Sequence, residues 1–227
     1  VNHFRSKGSA CGGASDDVYQ GNCNGLRLSM AQSVVTWLGG NPTGDPAGAS
    51  RRTLMVGDYN AYYGEDPIQW FSANGYVNLI HSIVGAAAYS YNFGSQSGYL
   101  DHAIANSGAG SMNALVKGVA EWHNNADEPS SLQALNSSNK SATAQTAYYS
   151  ADPWAASDHD PFIVGFNTLL GDLNDDGVVD AQDQKLMTAA VGKSASKVDR
   201  RMDYDGDGTI TINDYRMWTT YYLAFQR

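Results

Sequence analysis

Apolar residues recur at intervals along the chain that predict regular elements. Residues 26–38 (LRLSMAQSVVTWL) space them three and four apart, as on one face of a helix, and Gly39-Gly40-Asn41-Pro42 stops the pattern. The run 51–58 (RRTLMVGD) contains a short buried strand whose C-terminal edge turns polar again. Residues 67–74 predict a short helix. Residues 89–93 and 99–105 predict a hairpin-like strand pair around Gly94 and Gly98. Residues 124–144 are polar and loop-like, and 161–167 (PFIVGFN) read as another buried strand. The opening Val1-Asn2-His3-Phe4 reads as the end of a strand already under way.

Near Leu170 the pattern changes. Two Asp-rich stretches follow, each leading into a helical pattern, so the chain divides into residues 1–168 and a tail at 169–227 with an internal repeat. The first stretch offers Asp172, Asn174, Asp176, Val178, Asp180 and Asp183. The second offers Asp203, Asp205, Asp207, Thr209, Thr211 and Asp214. These are positions 1, 3, 5, 7, 9 and 12 of a calcium loop, with the backbone carbonyl serving at position 7 and Gly177 or Gly208 at position 6. Hard oxygens in that number suit Ca²⁺, and two sites are expected.

Composition refines the picture. The chain has 227 residues, 42% of them hydrophobic and 16% charged, which is enough to bury a core. The net charge of −9 gives no long-range attraction for nucleic acid. That argues against a DNA-binding scaffold, and much less against an enzyme whose bound cations offset the repulsion. Cys11 and Cys23 flank a Gly/Asp/Asn-rich stretch and predict a disulfide closing a surface loop in an oxidising, extracellular compartment, with two free thiols as the alternative. No apolar run is long enough to span a membrane.

Carboxylates, amides and imidazoles collect at the ends of the expected strands: Asn2-His3-Phe4, Gly57-Asp58-Tyr59-Asn60, Tyr99-Leu100-Asp101-His102 and Ser157-Asp158-His159-Asp160-Pro161. Phosphodiester hydrolysis uses this inventory. Carboxylates hold a metal that offsets charge on the phosphoryl group, a base orients water, and imidazoles fixed by carboxylates donate to phosphate oxygens. His102 follows Asp101 on an extended strand and should point the other way, toward a structural role. His123 reads as a loop-fixing residue, and His81 has no evident partner.

These motifs, with VNHFRSKGS, GDYNAYYGEDPI, GYLDHAIA and EWHNNADEP, resemble the second half of the endonuclease/exonuclease/phosphatase (deoxyribonuclease I-like) superfamily, nearest to ExeM-like extracellular bacterial nucleases. The resemblance covers residues 1–168. It implies an α/β fold, half of a four-layer sandwich of two packed mixed sheets flanked by helices. It implies a secreted nuclease using Mg²⁺ or Mn²⁺ and acting on DNA. Asp58 would activate water, Asn60 would contact the phosphate or that water, and Asp158 would hold the metal. His159, oriented by Asp101, and His3 would contact the phosphate, with Arg27 as a further phosphate contact. A first half, absent from this chain, would complete the metal site as an associated partner. A phospholipid phosphodiesterase or phosphatase of the same superfamily is the alternative substrate class.

The tail resembles the duplicated loop–helix units of dockerins, because each loop ends in Asp and a helix follows each. That implies a small all-α, calcium-folded module with a cohesin as its partner. The residues just before the last ligand, where dockerins often carry Ser/Thr pairs, are Ala181-Gln182 and Ile212-Asn213. A cap that packs on its own enzyme is the other reading of the tail. An inactive half-domain delivered by a cohesin-binding tail is the other reading of the whole chain.

Overall fold

A computed structural model of the protein describes residues 1–44, 52–107, 111–127, 140–149, 153–154, 156–166, 169 and 171–225. The chain forms two compact units. The first comprises Val1–Ser33, Leu54–Ala105 and Gly118–Gly165, and the second comprises Val34–Thr53, Asn106–Lys117 and Phe166–Arg227.

The first unit is mixed α/β. Strand β1 (Asn2–His3) runs parallel to β2 (Leu54–Asp58). Strand β3 (Tyr76–Asn78) lies at the far edge of the same sheet, and β6 (Asp101–Asn106) runs antiparallel to β2, giving the order β1-β2-β6-β3. Register places Asp58 beside both His3 and Asp101. Gly57 makes that junction: its φ is 138°, and a Cβ there would lie 1.9 Å from the Asn2 carbonyl oxygen.

Tyr59, fully buried, centres the core, with Phe4, Phe71 and His102 edge-on to its ring at 4.7, 5.6 and 5.6 Å. Phe71 belongs to α2 (Asp66–Ala73), which starts with Pro67 inside its first turn and ends at Asn74, close to the predicted short helix.

Helix α1 (Asn24–Gly39) forms where predicted, but its buried face differs from the leucine pattern. Asn24, Arg27, Ala31 and Leu38 turn inward, while Leu26 is 40% exposed. The predicted hairpin also shifts. Strand β4 (Tyr91–Phe93) pairs with β5 (Gln96–Gly98) across a Gly94-Ser95 turn with both residues at positive φ, and the 99–105 segment instead feeds β6. Pattern reading also missed β3 and the short α3 (Leu79–Ile83), whose N-cap Asn78 accepts the His81 N–H. Strand β8 (Phe162–Phe166) forms where the 161–167 strand is predicted, but it is half-buried to exposed and not a buried strand. It pairs with the unforeseen β7 (Val116–Glu121) and alternates in burial. Most of the expected 124–144 loop, residues 128–139, lies outside the described residues, and its end already belongs to α4 (Ala142–Tyr148).

In the second unit, α5 (Ala181–Ala190) and α6 (Ile212–Phe225) follow the two Asp-rich loops. Leu173, Val179, Met187, Ala190, Ala195, Met202, Ile210 and Trp218 form one core. Trp218 is fully buried and its Nε1–H donates to the Gly171 carbonyl at 2.9 Å. Short 3₁₀ turns at Ala195–Lys197 and Arg200–Met202 join the two halves, a connection the repeat pattern did not reveal. No helix among the described residues is long and apolar enough to cross a membrane.

Candidate functional site

The first unit brings His3, Asp58, Asn60, Asp101 and His159 to one end of the sheet, where β1 and β2 finish and β6 begins. Strand pairing sets Asp58 opposite Asp101, and β1 sets His3 beside Asp58, with His3 Nε2 3.4 Å from Asp58 Oδ2. His159 arrives from outside the sheet. It forms an isolated antiparallel bridge with Tyr91, and the backbone N–H of the next residue, Asp160, donates to the Ser90 carbonyl. This fixes the imidazole so that Nδ1 lies 2.6 Å from Asp101 Oδ2. Ser90 Oγ donates to the same carboxylate oxygen at 2.7 Å.

Charge follows from this packing. Burial raises the Asp58 pKa, and Asp101 raises it further, while its Asn60 hydrogen bond and the two histidines oppose the rise. For His159, burial works against the imidazolium. The Asp101 hydrogen bond and the charges of Asp101, Asp58 and Asp158 outweigh it, and the pKa ends above its ordinary value. The pKa values of Asp58 and His159 are thus both shifted upward in the folded chain.

Some expected roles change on inspection. Asn60 sits at positive φ (49°), and its amide donates to the Phe4 carbonyl at 3.1 Å and to Asp58 Oδ2 at 2.9 Å. One amide hydrogen bond thus holds Asp58 and the other anchors the side chain to β1's continuation at Phe4. Arg27, expected at the phosphate, is fully buried instead. Its guanidinium donates to the carbonyls of Arg5, Asn22 and Gln20, pinning the loop before α1. Asp158 is exposed, close enough to raise the pKa values of His159 and Tyr91 through its charge.

His102 faces inward from the strand position next to Asp101. Its pKa is lowered to about 4 by burial, and the ring is neutral, donating from Nε2 to the Ala61 carbonyl and accepting from Asn78 Nδ2 at Nδ1. His123 stacks on Tyr89 at 3.8 Å and meets Asp160 at 3.0 Å. His81 stacks on Tyr63 at 3.5 Å, a partner no sequence pattern suggested. Asp160 was not assigned a role from sequence. It is 2% exposed and its Oδ1 accepts the N–H groups of Asn124, Asn125 and Ala126. Its place inside the Ser-Asp-His-Asp-Pro motif was the available signal.

The two Asp-rich loops repeat one network. Asp172 accepts from the N–H of Gly177, and Asp203 from that of Gly208. Asp183 Oδ1 accepts from Leu173 N at 2.6 Å, and Asp214 Oδ1 from Tyr204 N at 2.7 Å. Asp183 and Asp214 then reach back to the N–H of Asp180 and Thr211; with the Asp180 side chain this closes a capping box at the start of α5. Asp203, Asp205 and Asp214 each present an oxygen within 4.8 Å of the others. Burial raises the Asp172 pKa, with Asp183 and Asp176 adding to it. Burial also acts to raise that of Asp214, but hydrogen bonds from Thr211, Asp205 and Tyr204 prevail and lower it. Asp175 and Gly206, at equivalent positions, both take positive φ.

Cys11 and Cys23 are joined in a disulfide. Asp16 accepts the N–H groups of Cys11, Gly12 and Cys23, which hold its carboxyl below the usual range. With both sulfurs bonded to each other, this group is a brace and not a ligand set.

Residues 170–223 match the Dockerin type I domain family. No curated protein and no solved structure matches the chain.

Proposed function

We propose that the C-terminal module is a calcium-loaded dockerin that docks its carrier onto a cohesin, in an extracellular setting. The observation that carries this reading is the family match over residues 170–223, which coincides with two loops of repeated geometry. The donor set fits Ca²⁺: carboxylates, an amide, a hydroxyl and backbone carbonyls, all hard oxygens. Asp172, Asn174, Asp176, Val178, Asp180 and Asp183 would hold one ion. Asp203, Asp205, Asp207, Thr209, Thr211 and Asp214 would hold the second. Bound Ca²⁺ would offset the mutual repulsion of these carboxylates. The helices presented after each loop would then form the cohesin-facing surface. Binding of the full chain to an immobilised type I cohesin, with Ca²⁺ and after chelation, tests this.

A second reading concerns the first unit, and the His159–Asp101 pair beside Asp58 favours it. We infer a metal-dependent phosphodiester hydrolase acting on DNA. Asp158 offers an exposed oxygen for Mg²⁺ or Mn²⁺, which would neutralise charge on the phosphoryl oxygens. Asp58 accepts a proton from the attacking water, and Asn60 holds Asp58 in place. His159, its proton affinity raised by Asp101, would donate to a phosphate oxygen, and His3 would do the same. This reading carries with it the four-layer sandwich and a complementary first half as a partner. Plasmid cleavage with Mg²⁺, Mn²⁺ or EDTA, repeated on Asp58→Asn, tests it; metal-independent or Asp58-independent cutting would sink it. Hydrolysis of phospholipid or sugar phosphate in place of DNA would shift the substrate class and leave the mechanism intact.

A further inference from the structure

Resting on the hydrolase reading of the first unit, we propose that Tyr91 and Phe93 form a stacking strip that receives unpaired nucleobases beside the phosphate handled by His159. The rings line up. His159 and Tyr91 lie 4.7 Å apart, and Tyr91 and Phe93 lie 6.3 Å apart with only 9° between their planes. Tyr91 and Phe93 alternate with Asn92 along β4, so they share one face. Phe93 is 69% exposed, although it stands on a strand held from several sides.

That strand is rigid for identifiable reasons. Asn92 turns to the opposite face and its amide donates to the Ala126 carbonyl at 2.7 Å. Ser90 donates its N–H to the Gly98 carbonyl. Gly98, the residue paired with Tyr91, is pressed against Tyr62, where a Cβ would come within 2.8 Å of the ring. The tight Gly94-Ser95 turn closes the hairpin.

A lone exposed phenylalanine needs no explanation. This one continues a line of rings that begins at the imidazole, on a hairpin that would not yield to ligand. A base has a π-face whatever its identity, so such a strip binds single strands with little sequence preference. Bases in a continuous duplex cannot reach it without unstacking. Single-stranded or locally melted DNA is therefore the favoured substrate form.

The test uses the full 227-residue chain and a fluorescently labelled oligothymidylate, compared with the same backbone carrying abasic sites. Anisotropy titrations are expected to give roughly tenfold tighter binding of the base-bearing strand. Phe93→Ser should bring the ratio of the two affinities to about one. Phe93→Trp should keep the ratio, with its fluorescence quenched as oligothymidylate binds. Equal affinity of the native chain for both strands, or an undiminished ratio in Phe93→Ser, overturns the proposal. Base preference without any metal-dependent cleavage would overturn the hydrolase reading and leave the strip standing. Cleavage without base preference would do the reverse.

Discussion

Asp101 Oδ2 lies 2.6 Å from His159 Nδ1, although the two residues are 58 positions apart in sequence. The carboxylate fixes the tautomer and raises the affinity of the ring for a proton. His159→Ala is expected to lower kcat for phosphodiester cleavage by about 10²–10⁴-fold. Asp101→Asn should cost less and should move the alkaline limb of the pH–rate profile to lower pH, because the imidazolium then loses its proton sooner. A limb that stays in place in Asp101→Asn would remove His159 from the role of charged donor.

Asn60 ties Asp58 to the Phe4 carbonyl through its amide and occupies a positive-φ position that glycine also tolerates. Asn60→Gly therefore keeps the backbone and removes the tether. The expected outcome is a fall in kcat of roughly tenfold or more with the fold retained, read by steady-state kinetics beside thermal melting. Asn60→Ala should lose stability as well, because alanine pays for the left-handed backbone.

His102 contributes a pH dependence to the stability of the first unit. Its folded pKa of about 4 lies below the ordinary value of 6.5, so the unfolded chain takes up a proton that the folded chain refuses. The contribution of this group is fully present above about pH 6.5, declines as pH falls toward 4, and is level below that. The decline from this group amounts to about 3 kcal/mol. Denaturant titrations across this range check it, and His102→Gln should flatten the slope while lowering stability at neutral pH.

Asp183 and Asp214 each serve twice, as the last oxygen of a loop and as the N3 member of a capping arrangement. Chelation should leave these carboxylates crowded and unneutralised, and α5 and α6 should lose helicity. Asp183→Ala and Asp214→Ala should each weaken calcium binding at one site and cost about 2 kcal/mol or more of module stability, since two or more backbone N–H groups lose their acceptor. Calcium titration followed by circular dichroism reads both effects.

The legibility of the chain varied with the range of the interaction. The calcium loops were readable because one continuous twelve-residue span carries every donor. The residues at the sheet's end were readable as motifs, and β-pairing then set Asp58 opposite Asp101. The hairpin register was not readable, because Gly94 and Gly98 both look like turns and only cross-strand pairing chooses between them. The surroundings of Arg27 were not readable, because a helix pattern says nothing of which groups a guanidinium meets; it donates to the carbonyls of Arg5, Asn22 and Gln20. Ser90 carried no local signal, since the Asp101 carboxylate it donates to lies on β6.

The most direct measurement is a calorimetric titration of the full chain with a type I cohesin, in Ca²⁺ and again after EDTA. Saturable one-to-one binding that vanishes on chelation and returns with Ca²⁺ is the expected result. No binding in saturating Ca²⁺ to any of a panel of type I cohesins, with α5 and α6 folded, would contradict the docking role.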